Sequence, residues 1–220
     1  MTAHFTWAKI GATVRIPALG AMIRRFFTPQ HKYSPQFWLI LGGLLIGTIG
    51  SSMVFPFLTI YVSEQLDLPL TDVAGLITLN GLVGLGASFA AGPITDRFGR
   101  KWLMVLSLFG NGVTYLLFRG AETYLVFAAL MALRGLFHPM YKVGTSAMVT
   151  DLVTPEQRAD AFALMRTADN LGIAIGPAIG GFVAATSYDA SFTIAALTLL
   201  LFGLLIALFA RETVPREAPK

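Results

Sequence analysis

Six apolar runs, each about as long as a membrane-spanning helix, constrain this chain more strongly than any other feature. Roughly 20 apolar residues in a helix cross the ~30 Å hydrocarbon core of a bilayer. Apolar residues make up 55% of the chain and charged residues only 13%, which argues against an ordinary soluble domain. The sequence therefore predicts an all-α integral membrane protein, with spans at residues 37–62, 73–95, 102–118, 124–149, 161–186 and 192–210.

Two more polar segments flank this predicted bundle. Residues 1–36 mix apolar side chains with Lys9, Arg15, Arg24 and Arg25, which interrupt the apolar core that a signal peptide would need. We expect this segment to remain uncleaved, either as an amphipathic segment lying on an anionic leaflet or as a disordered tail. Residues 211–220 are expected to form a second tail on the same side of the membrane.

The distribution of basic residues predicts the orientation of the chain, because Lys and Arg are retained on the cytoplasmic side. Of the 16 Lys and Arg residues, 12 fall in the two tails and in the second and fourth connections, and only Arg119 falls in the opposite loops. Both termini are therefore predicted to be cytoplasmic. The acids Glu64, Asp67, Glu122 and Asp189 lie in the opposite loops.

The connection between the second and third spans, GPITDRFGRK at residues 92–101, concentrates charge between two apolar runs. Positive-inside retention explains its bases but not its glycines or its acid. Gly92 would let a neighbouring helix approach closely, and Gly99 would permit the positive φ of a tight turn. Asp96 and Arg100 lie four residues apart and can pair if the helix continues through them.

This connection resembles the cytoplasmic loop motif G-x-x-x-D-R-x-G-R-K/R of the major facilitator superfamily. The resemblance implies half of that fold, built as two inverted three-helix repeats, and a loop that acts as a conformational latch between the two halves. It also implies that Asp151, at the end of the fourth span, joins the charge cluster of Asp96 and Arg100. The gating residues so implied are Gly92, Asp96, Arg97, Gly99, Arg100, Lys101 and Asp151.

Two further stretches are similar to motifs of the same family. LRGLFHPMYK resembles its fourth-helix arginine motif through Arg134 and Gly135. GIAIGPAIGG, residues 172–181, fits G-x-x-x-G-P-x-x-G-G, the pattern of family members that export a solute in exchange for protons. Ordinary glycine packing in lipid is the structural alternative. The matching residues are Gly172, Gly176, Pro177, Gly180 and Gly181.

Ionisable residues inside the predicted spans are candidates for function, since a charge in hydrocarbon costs about 2.5 to 3.5 kcal/mol. Arg134, His138 and Lys142 lie four residues apart and form one stripe along the fourth span. If the fourth and fifth spans turn near Pro155, Lys142 and Asp169 lie at similar depth, and we expect them to pair. Asp169 and His138 are the candidate proton carriers. A number of proton-coupled exporters of the family that the motifs resemble have an acid in the first helix. Residues 37–62 contain none, and this difference argues against proton coupling.

Together these features predict a secondary active transporter half that exports a small lipophilic solute by alternating access with proton exchange. The basic stripe favours an alternative, uptake of an anionic metabolite, and a non-transporting six-helix module or a truncated fragment is a third. The predicted partners are the lipid bilayer, the solute, protons and a second six-helix half, supplied by a longer chain or by a second copy. No catalytic constellation, phosphate-binding loop, metal-ligand cluster or nucleic-acid motif is recognisable, so we predict neither an enzyme nor a cofactor. A bacterial inner membrane is the expected location.

Overall fold

The computed structural model describes residues 33–214 and shows a bundle of six long helices. Residues 1–32 and 215–220, which carry most of both predicted tails, lie outside the described residues. The helices are α1 Pro35–Leu66, α2 Leu70–Phe98, α3 Arg100–Phe118, α4 Tyr124–Leu152, α5 Arg158–Ala184 and α6 Tyr188–Phe209, with a 3-10 turn at Pro155–Gln157 between α4 and α5. Each predicted span overlaps one helix; most helices extend beyond the predicted bounds at one or both ends, whereas α5 and α6 end slightly before the predicted ends at residues 186 and 210.

Local capping signals in the sequence explain several helix boundaries. The Ser34 side chain accepts a hydrogen bond from the Phe37 backbone at the start of α1, and the Thr123 side chain accepts one from Val126 at the start of α4. A capping box formed by Thr154 and Gln157 opens the turn before α5. The connections between helices are short, so successive helices run in opposite directions.

The contacts between helices follow a two-fold pattern. The most extensive contacts join α2 to α4 and α1 to α5, followed by α3 to α4, α3 to α6 and α1 to α6. Exchanging α1 with α4, α2 with α5 and α3 with α6 converts this set of contacts into itself. That exchange is the symmetry expected of two inverted three-helix repeats.

Five of the six described helices are long and apolar enough to cross a membrane. The exception is α5, whose 27 residues are sufficient in length but include Asp169, Asn170 and several glycines that lower its hydropathy. Its buried face is narrow and lies against α1, whereas α1, α3 and α6 bury larger side chains in a common core. α5 therefore carries polar residues within the membrane-spanning region and packs against α1 mainly through glycine and alanine.

The two ends of the bundle differ in charge. At one end α1, α3 and α5 begin and α2, α4 and α6 finish, and we call this the basic end. Its described bases are Arg97, Arg100, Lys101, Arg158 and Arg211. At the opposite end an aromatic cluster closes the core, formed by Tyr61, Phe118, Phe127 and Phe192 with ring centroids 5.0 to 6.1 Å apart.

Candidate functional site

The loop of residues 92–101 is a tight turn between two helices. α2 ends at Phe98 and α3 begins at Arg100, so Gly99 alone connects them, with φ 93° and ψ 149°. The predicted positive φ of Gly99 is confirmed, and it is a conformation that side chains rarely adopt. A Cβ at Gly92 would meet nothing within 4 Å, so no helix of this bundle requires a glycine there.

Arg100 forms an ion pair with Asp151 at the end of α4, and this confirms the implied contact between those two residues. Asp96 does not join them. The condition for an Asp96–Arg100 pair was a continuous helix, and the break at Gly99 removes it. Asp96 is exposed on α2 and has no ion pair with any residue in the described range.

Glu212, just beyond α6, caps the start of α3 and was not identified from the sequence. Its two carboxylate oxygens accept hydrogen bonds from the backbone nitrogens of Arg100 and Lys101 at 3.0 and 3.1 Å. A carboxylate at a helix N-terminus is stabilised by the unpaired N–H groups and the helix dipole. The carboxylate also occupies the space that a Cβ at Gly99 would need.

The same carboxyl-terminal segment is joined to the start of α1. The Gln36 side chain donates to the Arg211 carbonyl at 2.9 Å and accepts from the Arg211 backbone nitrogen at 3.1 Å. Residues 211 and 212 therefore connect the starts of α1 and α3 to the end of α6. These contacts could not be predicted from the sequence, because Gln36 and Arg211 are 175 residues apart.

The glycines of the α5 motif pack against α1. A Cβ at Gly176 would lie 2.6 Å from the Ser52 Cβ and 2.8 Å from the Ile49 carbonyl oxygen, and a Cβ at Gly180 would overlap the Met53 backbone. Gly172 faces Thr48 in the same way. Gly181, in contrast, has ordinary room, with Phe57 at 3.5 Å. Pro177 lies within the helix, one residue beyond Gly176.

Arg134 is held near the middle of α4 by neutral groups. Its Nε donates to the Tyr115 hydroxyl and its Nη1 donates to the Asn80 side-chain oxygen, both at 3.3 Å. The guanidinium carbon lies 4.1 Å from the centroid of the Phe55 ring. Arg134 is only 8% exposed. Its positive charge is therefore buried among partners that carry no formal charge. The sequence identified Arg134 but not these three partners, which come from three other helices.

Lys142 and Asp169 form the ion pair expected from their positions about the α4–α5 turn. The Lys142 Nζ is 3.0 Å from Asp169 Oδ2, and the Thr48 hydroxyl of α1 donates to Asp169 Oδ1 at 2.9 Å. At 1.5 Å per residue, both charged residues lie about 15 Å along their helices from the basic end. The pair thus connects α4, α5 and α1 about midway along the helices, with Asp169 largely buried and the Lys142 side chain 47% exposed.

Two adjoining cavities meet at this ion pair. Lys142, Tyr141 and Leu44 line both. The inner cavity is also lined by Gly47, Thr48, Ser51, Leu108, Asn111, Tyr115, Arg134, His138, Leu199 and Phe202. The outer one continues along α4 and α5 past Asp169 and Arg166 toward the basic end. Arg134, His138 and Lys142 therefore line one polar region, as their spacing predicted, which extends from the buried Arg134 to the exposed Lys142.

Metal ligation has no evident site in this region. Within residues 33–214, no group of three or more His, Cys, Asp or Glu side chains is arranged to hold a metal ion. The polar region combines cations, hydroxyls and one carboxylate. Its cations and hydroxyls can form hydrogen bonds with a solute, and its carboxylate can bind a proton.

The sequence profile of the Major Facilitator Superfamily matches residues 39–220, which is most of the chain and covers five of the six helices completely and α1 from its fifth residue. The chain belongs to the major facilitator superfamily. In this chain the residues of the three motifs lie at a tight turn between α2 and α3, at a buried arginine in α4 and on a glycine-lined face of α5.

Named relatives within the superfamily include transporters of several kinds. Multidrug resistance protein 1 of Bacillus subtilis is 32% identical over 191 residues, covering 87% of this chain and 48% of that protein. The Na(+), Li(+), K(+)/H(+) antiporter of Planococcus maritimus is 31% identical over 172 residues, covering 75% of this chain and 40% of that protein. The chain therefore spans about half the length of these relatives or less.

A solved structure has the same fold at low sequence identity. The crystal structure of the human organic anion transporter MFSD10 superimposes with a TM-score of 0.66 at 22% identity, covering 82% of this chain and 48% of that one. The chain is thus an all-α membrane protein with one half of the major facilitator fold.

Proposed function

We propose that this chain is one six-helix half of a secondary active exporter, which moves a small lipophilic solute out of the cell in exchange for protons. Relatives that carry the names of a multidrug resistance protein and a cation/proton antiporter support this function. The α5 motif supports it too, since the resemblance associates that pattern with proton-exchanging exporters. The proposed driving force is an ion gradient or the gradient of the solute itself.

The observation that carries the proposal is the polar region inside an apolar bundle. Arg134, His138 and the Lys142–Asp169 pair face cavities well away from both ends of the helices. Inserting an ionisable group into the hydrocarbon core costs free energy, so such groups at membrane depth mark solute or ion pathways. The surrounding Leu and aromatic side chains favour a lipophilic solute over a sugar.

The Lys142–Asp169 pair provides a means of coupling. A proton that binds the Asp169 carboxylate removes its negative charge and releases Lys142 from the ion pair. Loss of that proton restores the pair and the contact between α4 and α5. His138 lies between Arg134 and Lys142 on the same face and is the second proposed proton carrier.

We propose that the charged loop works against a second six-helix half. Asp96 is exposed and unpaired among the described residues, and the space beside Gly92 is open. Both features leave room for a helix end of that half, while the Arg100–Asp151 pair holds the loop to α4. The second half is either the rest of a longer chain or a second copy of this one.

The charge difference between the ends supports an orientation and a location. We propose that the basic end faces the cytoplasm, with both termini on that side. We also propose a bacterial inner membrane as the location, which the bacterial origin of the two relatives named above supports.

Everted membrane vesicles from cells that express the complete reading frame test this function. Respiration acidifies such vesicles, and an exported solute should dissipate the pH gradient as it enters in exchange for protons. We expect a panel of lipophilic solutes to include at least one that does so, and we expect the Asp169→Asn, His138→Gln double variant to lose the response. Solute-dependent proton flux that survives in the double variant would rule out both residues as carriers.

Two outcomes would favour the alternatives. Accumulation of a solute in right-side-out vesicles, driven by an inward proton gradient, would indicate an uptake permease. Absence of any solute-dependent flux across the panel, in vesicles that contain the folded protein, would indicate a non-transporting membrane module.

A further inference from the structure

Asn111 of α3 is a buried amide without a hydrogen-bond partner among residues 33–214. It is only 5% exposed, yet none of the hydrogen bonds in that range involves its side chain. The amide is not sealed within the protein either, because its atoms are not among the fully buried unpaired ones and the residue lines the inner cavity. Buried side-chain amides are nearly always hydrogen-bonded, so the partner of Asn111 lies in that cavity.

The packing of α3 against α4 places Asn111 at the same level as His138. The two helices are antiparallel, and the hydrogen bond from Arg134 Nε to the Tyr115 hydroxyl fixes their register. One turn from that bond toward the basic end, α3 presents Asn111 and α4 presents His138. Both residues line the inner cavity. They therefore reach the same space from two different helices.

His138 and Arg134 each have an unused hydrogen-bonding atom beside this cavity. The His138 ring forms no hydrogen bond within the described range, and Arg134 Nη2 forms none, since the bonds to Tyr115 and Asn80 use Nε and Nη1. A guanidinium only donates, whereas a neutral imidazole and an amide both donate and accept. These three groups match a water molecule, which can accept two hydrogen bonds and donate two.

The size of the inner cavity also fits one water molecule. The space open to the centre of a water is about 20 Å³. Roughly 10–15 Å³ of such space is enough for one water, and buried waters usually make about three hydrogen bonds to protein groups. Asn111, His138 and Arg134 supply that number. The inner cavity shares part of its lining with the outer cavity, which leads toward the basic end.

We propose that the inner cavity binds one ordered water, held by Asn111, Arg134 and His138, and that this water passes protons between the outer cavity and His138. A hydrated proton in the outer cavity gives one proton to the water, and the water gives another to the unprotonated ring nitrogen, so the water is regenerated. Asn111 is a positioning residue, because its amide orients the water and does not bind the proton. The inference rests on the proposed proton exchange and adds a route for it.

The charges around His138 explain why its proton needs such a water. Arg134 and Lys142 flank His138 on α4 and disfavour a positive charge on its ring, and the nearest acid, Asp169 of α5, is bound to Lys142. The other helices that line the inner cavity, α1, α3 and α6, contribute only neutral side chains. A proton on His138 is therefore short-lived, and the water is the group that delivers it and takes it away.

Water-edited solid-state NMR detects this water without requiring transport. The sample is the purified product of the complete reading frame in lipid vesicles, with isotope-labelled histidine, and the His138 ring signals are identified by their loss in His138→Gln. We expect magnetisation from water protons to reach the His138 ring nitrogens at short transfer times. Absence of this transfer in the wild-type protein would overturn the inference.

Variants of α3 test whether Asn111 holds the water. Asn111→Leu keeps the volume of the side chain but cannot hydrogen-bond, so we expect a several-fold loss of transfer and shifted ring-nitrogen resonances. Asn111→Ser retains a hydroxyl and should restore most of the transfer. Thr114→Val is the matched control, since Thr114 is 2% exposed, donates to the Gly110 carbonyl and does not line the cavity. It should leave the signal unchanged.

Two results decide the role of Asn111. Equal transfer in the wild-type protein and in Asn111→Leu would overturn it, whereas a loss in the Leu variant with recovery in the Ser variant would support it. If Asn111→Leu does not fold, as judged by gel filtration, Asn111→Val takes its place, because valine also lacks a hydrogen-bonding group. The wild-type measurement decides on the water itself in either case.

Proton flux in everted vesicles separates a proton route from a purely structural water. With a solute that the wild-type protein exchanges for protons, Asn111→Leu should slow the flux several-fold and Asn111→Ser should recover most of it. Unchanged flux in a Leu variant that has lost the NMR transfer would overturn the route. A water signal that depends on Asn111, in a protein without solute-dependent proton flux, would uphold the water site and overturn the proposed function together with the route.

Discussion

Gly99 and Gly92 belong to the same charged loop, but the structure gives them different roles. Gly99 has φ 93° and ψ 149°, and the Glu212 carboxylate lies where its Cβ would be. Gly92 has an ordinary helical position and open space beside it. One glycine is therefore required by the fold of this half, whereas the other is available for contact with something outside it.

We predict that Gly99→Ala lowers the free energy of unfolding by about 1 to 3 kcal/mol, the cost of a side chain in a backbone region reserved for glycine. Gly92→Ala is the matched control and should leave stability unchanged. Thermal unfolding of the two variants in detergent checks both. If Gly92→Ala retains stability but transports poorly, its open face receives the second half; equal stability of both variants would contradict the role assigned to Gly99.

Residue-level predictions succeeded where helix geometry alone decides the contact. Lys142 and Asp169 lie at equal distances along the chain from the α4–α5 turn, and a hairpin of two helices brings such residues to the same depth. The Asp96–Arg100 pair required an unbroken helix, and the chain bends at Gly99 instead. Glu212 was not identifiable, because capping of α3 by a residue 112 positions away depends on how α6 packs.

At the scale of helices, the α5 motif determines how closely α5 approaches α1. Gly172, Gly176 and Gly180 are buried against the α1 backbone or its small side chains, and Gly181 points toward Phe57 with room to spare. The sequence predicted a bare glycine face but did not identify its partner helix. This close packing also places Thr48 of α1 within hydrogen-bonding distance of Asp169.

We predict that Gly180→Ala is destabilising by about 1 to 3 kcal/mol, since its methyl group would overlap the Met53 backbone and force α1 and α5 apart. Gly181→Ala, one residue later in the same motif, should be nearly neutral because its Cβ meets only an ordinary contact. Folded yield and thermal stability after purification provide the measurement. Comparable losses in both variants would indicate that the motif acts through something other than contact with α1.

For the molecule as a whole, the six helices and their order were predictable from apolar periodicity and short connections. The two-fold pattern of contacts was implied only through the family resemblance, because no sequence repeat reveals that α1–α5 and α4–α2 are equivalent pairs. The partners of Arg134 depend on the same packing: Asn80, Phe55 and Tyr115 come from α2, α1 and α3. A site assembled from four helices requires the fold before its geometry can be seen.

Orientation in the membrane is the whole-molecule property that the charge asymmetry predicts. The chain has no cysteine, so a single introduced cysteine is the sole thiol in residues 1–220. Glu122 lies in the loop between α3 and α4, and Glu156 lies in the turn between α4 and α5 at the basic end. Both residues are exposed in the structure, which makes them a matched pair of labelling positions.

We predict that a membrane-impermeant maleimide labels Glu122→Cys in intact cells, or in spheroplasts where an outer membrane is present, and labels Glu156→Cys only after the membrane is permeabilised. The reason is retention of Lys and Arg on the cytoplasmic side, which fixes the basic end there. Labelling both variants after permeabilisation verifies that each thiol is reactive. The reverse pattern in intact cells would place the basic end outside, and with it the opening of the outer cavity past Asp169, and would contradict the proposed orientation.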